Sequence, residues 1–145
     1  MAAERPGFDI RILDWKTGEA DLRAVRIAVF VIEQNIPEEL EWDEHDAVSL
    51  HALARDASGV PIGCARLLPD GHIGRVAVVS DSRSKGVGAA LLQRLIDVAH
   101  DRGDRRVRLH SQVQAMPFYA RFGFEPVGEP FDEAGIPHQT MERLL

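Results

Sequence analysis

Hydrophobic residues recur with two different spacings in different segments of the chain. Apolar residues at every second position predict strands, and apolar residues three or four positions apart predict helices. Predicted strands cover residues 8–13, 49–55, 62–68, 73–79, 106–110, 124–127 and 139–144, and predicted helices cover residues 19–31, 89–101 and 112–122. This β-α-β-β-β-α-β-α-β-β order predicts a mixed α/β (α+β) fold with one mostly antiparallel sheet flanked by helices.

A glycine-rich, basic turn joins the strand at 73–79 to the helix at 89–101. It reads Arg83-Ser84-Lys85-Gly86-Val87-Gly88. Glycines let backbone approach a ligand closely, and the free amides at a helix start favour negative charge. The turn therefore predicts a phosphate site. Its spacing differs from that of a nucleoside-triphosphate loop, and Leu91 occupies the third glycine position of a dinucleotide motif.

The motif Arg-x-x-Gly-x-Gly between a strand and a long helix resembles the pyrophosphate loop of the Gcn5-related N-acetyltransferases, the GNAT superfamily. A second stretch resembles the last helix of that family, with Gln112 where the family usually has Asn. Its matching residues are Ala115, Phe118, Tyr119, Gly123 and Phe124. Two motifs in this order are much more specific than one, and together they indicate the GNAT fold.

A branch within that family is also indicated. Val-Phe-x-x-Glu-Gln at residues 29–34, an acidic stretch at 38–46 and Gly-Ile-Pro-His at 135–138 occur together here. This combination resembles the ElaA/YjcF-like branch. The resemblance suggests Glu33, Gln34 and His138 as site residues, together with His51.

The resemblance implies an acetyl-CoA-dependent N-acetyltransferase, with acetyl-CoA as co-substrate. Backbone groups of the strand entering the turn would pair with the pantetheine arm, the Val78 amide would stabilise the oxyanion, and Tyr119 would protonate the leaving thiolate. The expected cofactor-binding residues are Val76, Ala77, Val78, Arg83, Ser84, Lys85, Gly86, Val87, Gly88, Ala89, Gln112, Phe118 and Tyr119.

The general base is left open by the sequence. Many family members place a Glu on the strand that enters the phosphate turn, but this strand offers Arg75. His110 and Glu33 are the leading candidates, and a water chain is an alternative. His51 and His72 are further options for the base. Expected substrate-binding residues are Gln34, Glu41, His51, Arg75 and His138.

Residues 38–46 carry six carboxylates in nine positions. Such a run is either a solvated loop or a mouth that attracts a cationic amine, with Trp42 as an apolar wall. No metal site is expected, because cysteine pairs and closely spaced histidines are lacking. An acyl-CoA-binding sensor without turnover and a metal-assisted hydrolase are the alternative functions.

Composition narrows these expectations further. The 145 residues suit one domain, expected over residues 1–145 with a core from about residue 8, and the net charge of −6 argues against nucleic acid as partner. No apolar run approaches the ~20 residues needed to cross a bilayer, and no export signal is apparent, so we expect no membrane association and a cytoplasmic location. The single cysteine, Cys64, fits that compartment. The expected partner is a small-molecule amine, and a homodimer is one oligomeric state to consider.

Overall fold

The computed structural model describes residues 7–145, and within them eight strands form one sheet. The strands are β1 (Phe8–Leu13), β2 (Leu50–Asp56), β3 (Pro61–Leu67), β4 (His72–Val78), β5 (Arg106–Gln112), β6 (Glu125–Pro126), β7 (Phe131–Glu133) and β8 (Ile136–Leu144). Their order is β1-β2-β3-β4-β5-β8-β6, and β7 pairs with β8. Only the β4–β5 pair is parallel, so the mixed, mostly antiparallel sheet is confirmed.

The parallel pair opens into a wedge. The ladder between β4 and β5 holds only at His72 with Arg108 and at Ile73 with Leu109. Beyond these residues, β4 stays paired with β3 through a bulge opposite Ala65. The bulged residue Arg75 has a φ of 52°, a conformation that non-glycine residues rarely adopt. The bulge redirects β4, and the two strands part.

Two helices cover opposite faces of the sheet. Helix α1 (Trp15–Arg26) packs Leu22 and Val25 against Leu53 of β2. Helix α2 (Val87–Asp101) packs against the β2 residues that alternate with Leu53, such as Ala52. Successive strand residues point to opposite faces, so each face carries its own apolar core.

The start and end of the first helix differ from the sequence prediction. Helix α1 begins at Trp15 because Asp14 caps it, accepting a 2.8 Å hydrogen bond from the Thr17 amide. After Arg26 the chain continues as a π-helical turn (Ile27–Glu33). Such turns are frequent at functional sites. Here the turn ends at Glu33 and Gln34, which were predicted as site residues.

The C-terminal third also departs from the prediction. Strand β5 extends to Gln112, and helix α3 (Met116–Ala120) is much shorter than the predicted helix over 112–122. Strand β7 was not predicted, and it forms a hairpin with β8 through Ala134 and Gly135. Both turn residues have positive φ, as a type I′ hairpin turn requires. Within residues 7–145, no helix is long and apolar enough to cross a membrane.

Candidate active site

An open cleft of about 1420 Å³ lies over the wedge between β4 and β5. The start of α2 and helix α3 form one part of its wall, and the π-helical turn and residues 40–45 form another. The β7–β8 hairpin closes the far end. Among the predicted site residues, all but Lys85 and His51 line this cleft. Lys85 is exposed beside it.

The phosphate turn leaves the start of α2 without a side-chain cap. Gly86 is the residue before the helix and has a φ of 82°, which suits glycine. The first amides of α2 therefore remain available to a ligand in the cleft. Gly88 lies one step into the helix, and a Cβ there would meet Val78 and Phe118 at 3.6 and 3.7 Å, which is ordinary contact.

The backbone of Val78 faces the wedge. The Val79 amide donates to the Ile62 carbonyl of β3 at 2.9 Å, so neighbouring Val78 presents its amide and carbonyl to the opposite side of β4. The Val78 carbonyl accepts a 2.9 Å hydrogen bond from Arg83 Nε. The amide of Val78 thus points where a strand-like ligand arm would run.

Arg83 is bound by a carboxylate from the π-helical turn. Its Nη1 donates to Glu33 Oε2 at 2.6 Å, and its Nη2 binds the other oxygen of Glu33. The hydrogen bond from Arg83 lowers the pKa of Glu33 below its usual value. Glu33 is therefore a weak base in this arrangement, although it lines the cleft as predicted.

Tyr119 lies on the α3 side of the cleft and is only 9% exposed. Its ring packs edge-on against Phe118 and Phe124 at centroid distances of 5.1 and 6.1 Å. Burial raises the pKa of Tyr119 to about 12. The phenol therefore keeps its proton at neutral pH and can act as a donor.

Gln112 and Gln34 meet across the cleft. Gln112 Nε2 donates to Gln34 Oε1 at 2.9 Å, which joins the end of β5 to the end of the π-helical turn. Gln112 Oε1 accepts from Gln114 at 2.6 Å. A glutamine at the usual asparagine position is long enough to make this bridge, so the substitution has a local structural reason.

Half of the acidic stretch turns inward. Asp46 Oδ1 lies 2.9 Å from Arg26 Nη1 and 3.0 Å from Arg66 Nη1, and all three residues are at most 5% exposed. Asp43 adds a 2.7 Å bond to Arg66 and lies 3.3 Å from Arg75. These carboxylates neutralise arginines that would otherwise be buried without a partner.

Glu41 is also turned inward. Its Oε2 lies 3.4 Å from Arg75 Nε, the residue is 4% exposed, and burial raises its pKa. The prediction of six carboxylates as one solvated loop or one open mouth is therefore wrong for Glu41, Asp43 and Asp46. Only Glu38, Glu39 and Glu44 remain exposed.

His51 lies beneath this ion network. It is fully buried, with Nε2 2.9 Å from the Asp46 carbonyl and Nδ1 3.5 Å from Arg26 Nη2. Burial lowers the pKa of His51. The structure therefore places this predicted substrate residue and candidate base behind the cleft wall, where it supports the network and does not reach a ligand.

The β7–β8 hairpin brings Glu133, which was not predicted as a site residue, close to His110 and His138. Glu133 Oε2 lies 3.4 Å from His138 Nε2, and Glu133 Oε1 lies 3.7 Å from His110 Nδ1. The neighbouring His110 side chain lowers the pKa of Glu133. Glu133 was not predicted as a site residue because strand β7 was not predicted. Within residues 7–145, no group of three such side chains is arranged to hold a metal ion.

Comparison with known proteins identifies the family of the chain. The family model described as an acetyltransferase (GNAT) domain matches residues 19–145, and the chain belongs to that family. The chain is 40% identical to a Bacillus subtilis protein described as the uncharacterized N-acetyltransferase YjcF, over 81% of this chain and 86% of that one.

Two solved structures have the same fold as this chain. Escherichia coli ElaA superposes with a TM-score of 0.83 at 31% identity, covering 94% of this chain and 99% of that chain. An acyl-CoA N-acyltransferase from Pseudomonas aeruginosa gives the same TM-score, identity and coverage. The GNAT fold and the ElaA/YjcF-like branch indicated by the sequence motifs are confirmed.

Proposed function

We propose that the protein transfers the acetyl group of acetyl-CoA to a primary amine of a small molecule, with Tyr119 as the general acid. One observation carries the proposal. The uncapped start of α2, the wedge beside β4 and the residue Tyr119 all line one continuous cleft. Its three parts suit a diphosphate, an extended pantetheine arm and a thioester, in that order.

The cofactor is held mainly by backbone. The first amides of α2, those of Val87 and Gly88, receive the diphosphate, where the helix dipole favours negative charge. The pantetheine arm then pairs with β4 in the manner of an added strand, through the outward backbone groups of Val76, which leaves the Val78 amide for the thioester oxygen. The relative described as an acyl-CoA N-acyltransferase supports an acyl-CoA as the donor.

The reaction is a direct transfer. A neutral amine attacks the thioester carbon, and the Val78 amide donates to the oxygen that becomes negative. The carbon–sulfur bond then breaks, and Tyr119 gives its proton to the departing thiolate. The amine loses a proton as the amide forms, and that proton restores the phenol through solvent.

The test uses acetyl-CoA and a panel of amines. We expect calorimetry to show acetyl-CoA binding, and free-thiol release to require both acetyl-CoA and an amine. Alkylamines, polyamines, aminoglycosides and peptide N-termini form the panel. Binding of acetyl-CoA with no thiol release from any amine would replace the proposal with an acyl-CoA-binding sensor. An absence of acetyl-CoA binding would remove both functions.

A further inference from the structure

Three titratable side chains share one face of three neighbouring strands. Gln112 of β5 is opposite His138 of β8, and His110 is opposite Thr140, so His110 and His138 are diagonal neighbours. Glu133 of β7 is opposite Ile136, which makes it the diagonal neighbour of His138. Diagonal positions are within reach of long side chains, and all three residues line the cleft.

Glu133 differs from the other carboxylates of the cleft wall. Among the described residues that line the cleft, Glu33 is paired with Arg83, Glu41 with Arg75, and Asp43 with both Arg66 and Arg75. Within residues 7–145, Glu133 has only the two histidines as ion-pair partners, and its side chain is 51% exposed. It is therefore the carboxylate best able to accept a cation arriving in the cleft.

The hydrogen bonding of His138 fixes the orientation of its ring. Its Nδ1 lies 2.6 Å from the Ile136 carbonyl, which can only accept, so Nδ1 carries a hydrogen. Its Nε2 faces the Glu133 carboxylate, and this contact is attractive when Nε2 also carries a proton. His138 is thus fixed by the backbone on one side and positions the Glu133 carboxylate on the other.

The hairpin tip next to Glu133 is held under strain. Ala134 has a φ of 52°, where glycine or asparagine is the usual choice in this turn. Such conformations persist where the surroundings fix them, and they concentrate at functional sites. The strained turn sets the position of Glu133 over the cleft.

We infer that Glu133, held between His110 and His138, is the binding subsite for the ammonium group of the acceptor, and that His110 is the base that removes its proton. The inference rests on the proposed acetyl transfer. Glu133 and His110 would touch the acceptor, while His138 positions Glu133. Among the described residues, Arg75 and His72 are further charged or titratable groups near this pair.

The proton balance is simple. The acceptor enters as an ammonium ion, and its first proton passes to His110 and then to solvent. The amine lone pair then forms the carbon–nitrogen bond, and the carbon–sulfur electrons leave with the thiolate. The thiolate takes the proton of Tyr119, and the second amine proton restores the phenol. One proton is released to solvent per amide formed.

The test compares Glu133→Gln and His110→Gln with a matched control, Asp132→Asn. Asp132 lies on the same strand, is exposed and faces away from the cleft. Its substitution therefore removes one negative charge from β7 without changing the cleft. Kinetics use the best alkylamine of the panel at saturating acetyl-CoA, from mildly acidic to mildly alkaline pH. Calorimetry measures acetyl-CoA affinity for each folded variant.

We expect Glu133→Gln to raise the KM for the alkylamine at least about tenfold with acetyl-CoA affinity unchanged. We expect His110→Gln to lower kcat roughly 10²-fold and to abolish the acidic limb of the kcat/KM profile. Asp132→Asn should match the wild type. A wild-type KM in Glu133→Gln, or an equal effect in Asp132→Asn, would overturn the inference while leaving acetyl transfer intact. Failure of the wild type to acetylate any amine would remove the proposed function itself.

Discussion

The Glu33 carboxylate binds both terminal nitrogens of the Arg83 guanidinium, across fifty residues of sequence. This contact ties the π-helical turn after α1 to the phosphate turn before α2. Arg83 also donates to the Val78 carbonyl, so one guanidinium joins the π-helical turn, β4 and the phosphate turn. Nε and both terminal nitrogens of Arg83 therefore have protein partners.

Glu33→Gln tests whether Glu33 is a base or a structural partner. The ion pair lowers the pKa of Glu33, so we expect kcat to stay within about threefold of the wild type. Stability should change by less than about 1 kcal/mol, because both side chains are partly exposed. Amine kinetics and urea unfolding measure these values, with exposed Glu38→Gln as control. A roughly 10²-fold fall in kcat would restore Glu33 as the base.

Gly88→Val tests the diphosphate site. A Cβ at Gly88 would make only ordinary contacts with Val78 and Phe118, so the fold should survive. The added branched side chain would, however, enter the space that a diphosphate needs. We expect acetyl-CoA affinity to fall at least tenfold, or about 1.4 kcal/mol. Ala90→Val, in the same helix but outside the cleft, controls for the branched residue. Equal affinity of both variants by calorimetry would contradict the site.

Tyr119→Phe removes one hydroxyl and keeps the ring packing against Phe118 and Phe124. We expect kcat to fall roughly 10²-fold, the usual scale for a general acid. Acetyl-CoA affinity and the midpoint of urea unfolding should barely change. Stopped assays of thiol release with any active amine give the rate. Turnover at the wild-type rate would make Tyr119 a core aromatic only.

Local sequence patterns anticipated the parts of the site that are themselves local. The strand, the glycine turn and helix α2 are contiguous, and Gly86 and Gly88 carry a recognisable spacing. The acidic stretch was misinterpreted because its inward turn depends on distant partners. Asp46 meets Arg26 of α1 and Arg66 of β3, which lie twenty residues away on either side.

Glu133 was missed for a related reason. Its partner His138 is close in sequence, but the hairpin between them has Ala134 where a turn signal of glycine or asparagine is expected. Strand β7 is also only three residues long, too short for a hydrophobic period to appear. The sequence therefore predicted His138 and His110 individually, and only the structure joined them through Glu133.

Asp46→Asn tests the buried ion network. Asp46 is the only carboxylate among the described residues within ion-pair distance of Arg26, so its neutralisation leaves a fully buried guanidinium without an opposite charge. We expect a loss of about 3–5 kcal/mol in the free energy of unfolding. Urea denaturation measures it. Exposed Glu44→Gln, in the same stretch, should change stability by no more than about 0.5 kcal/mol. A loss below about 1 kcal/mol for Asp46→Asn would show that the network adds little stability.

Stability should fall at alkaline pH through two buried groups. Burial raises the pKa of Cys64 from 9.0 to about 11 and that of Tyr119 from 10.0 to about 12. Both groups lose their protons at lower pH in the unfolded chain than in the folded protein, so stability is lost as pH rises from about 9 to 12. Each shift corresponds to roughly 2–3 kcal/mol. The chain has one cysteine and one tyrosine, so no other thiol or phenol titrates in this range. Urea unfolding as a function of pH should therefore show a clearly shallower alkaline decline in the double variant Cys64→Ala, Tyr119→Phe. An unchanged slope would mean that neither group is protected from deprotonation by the fold.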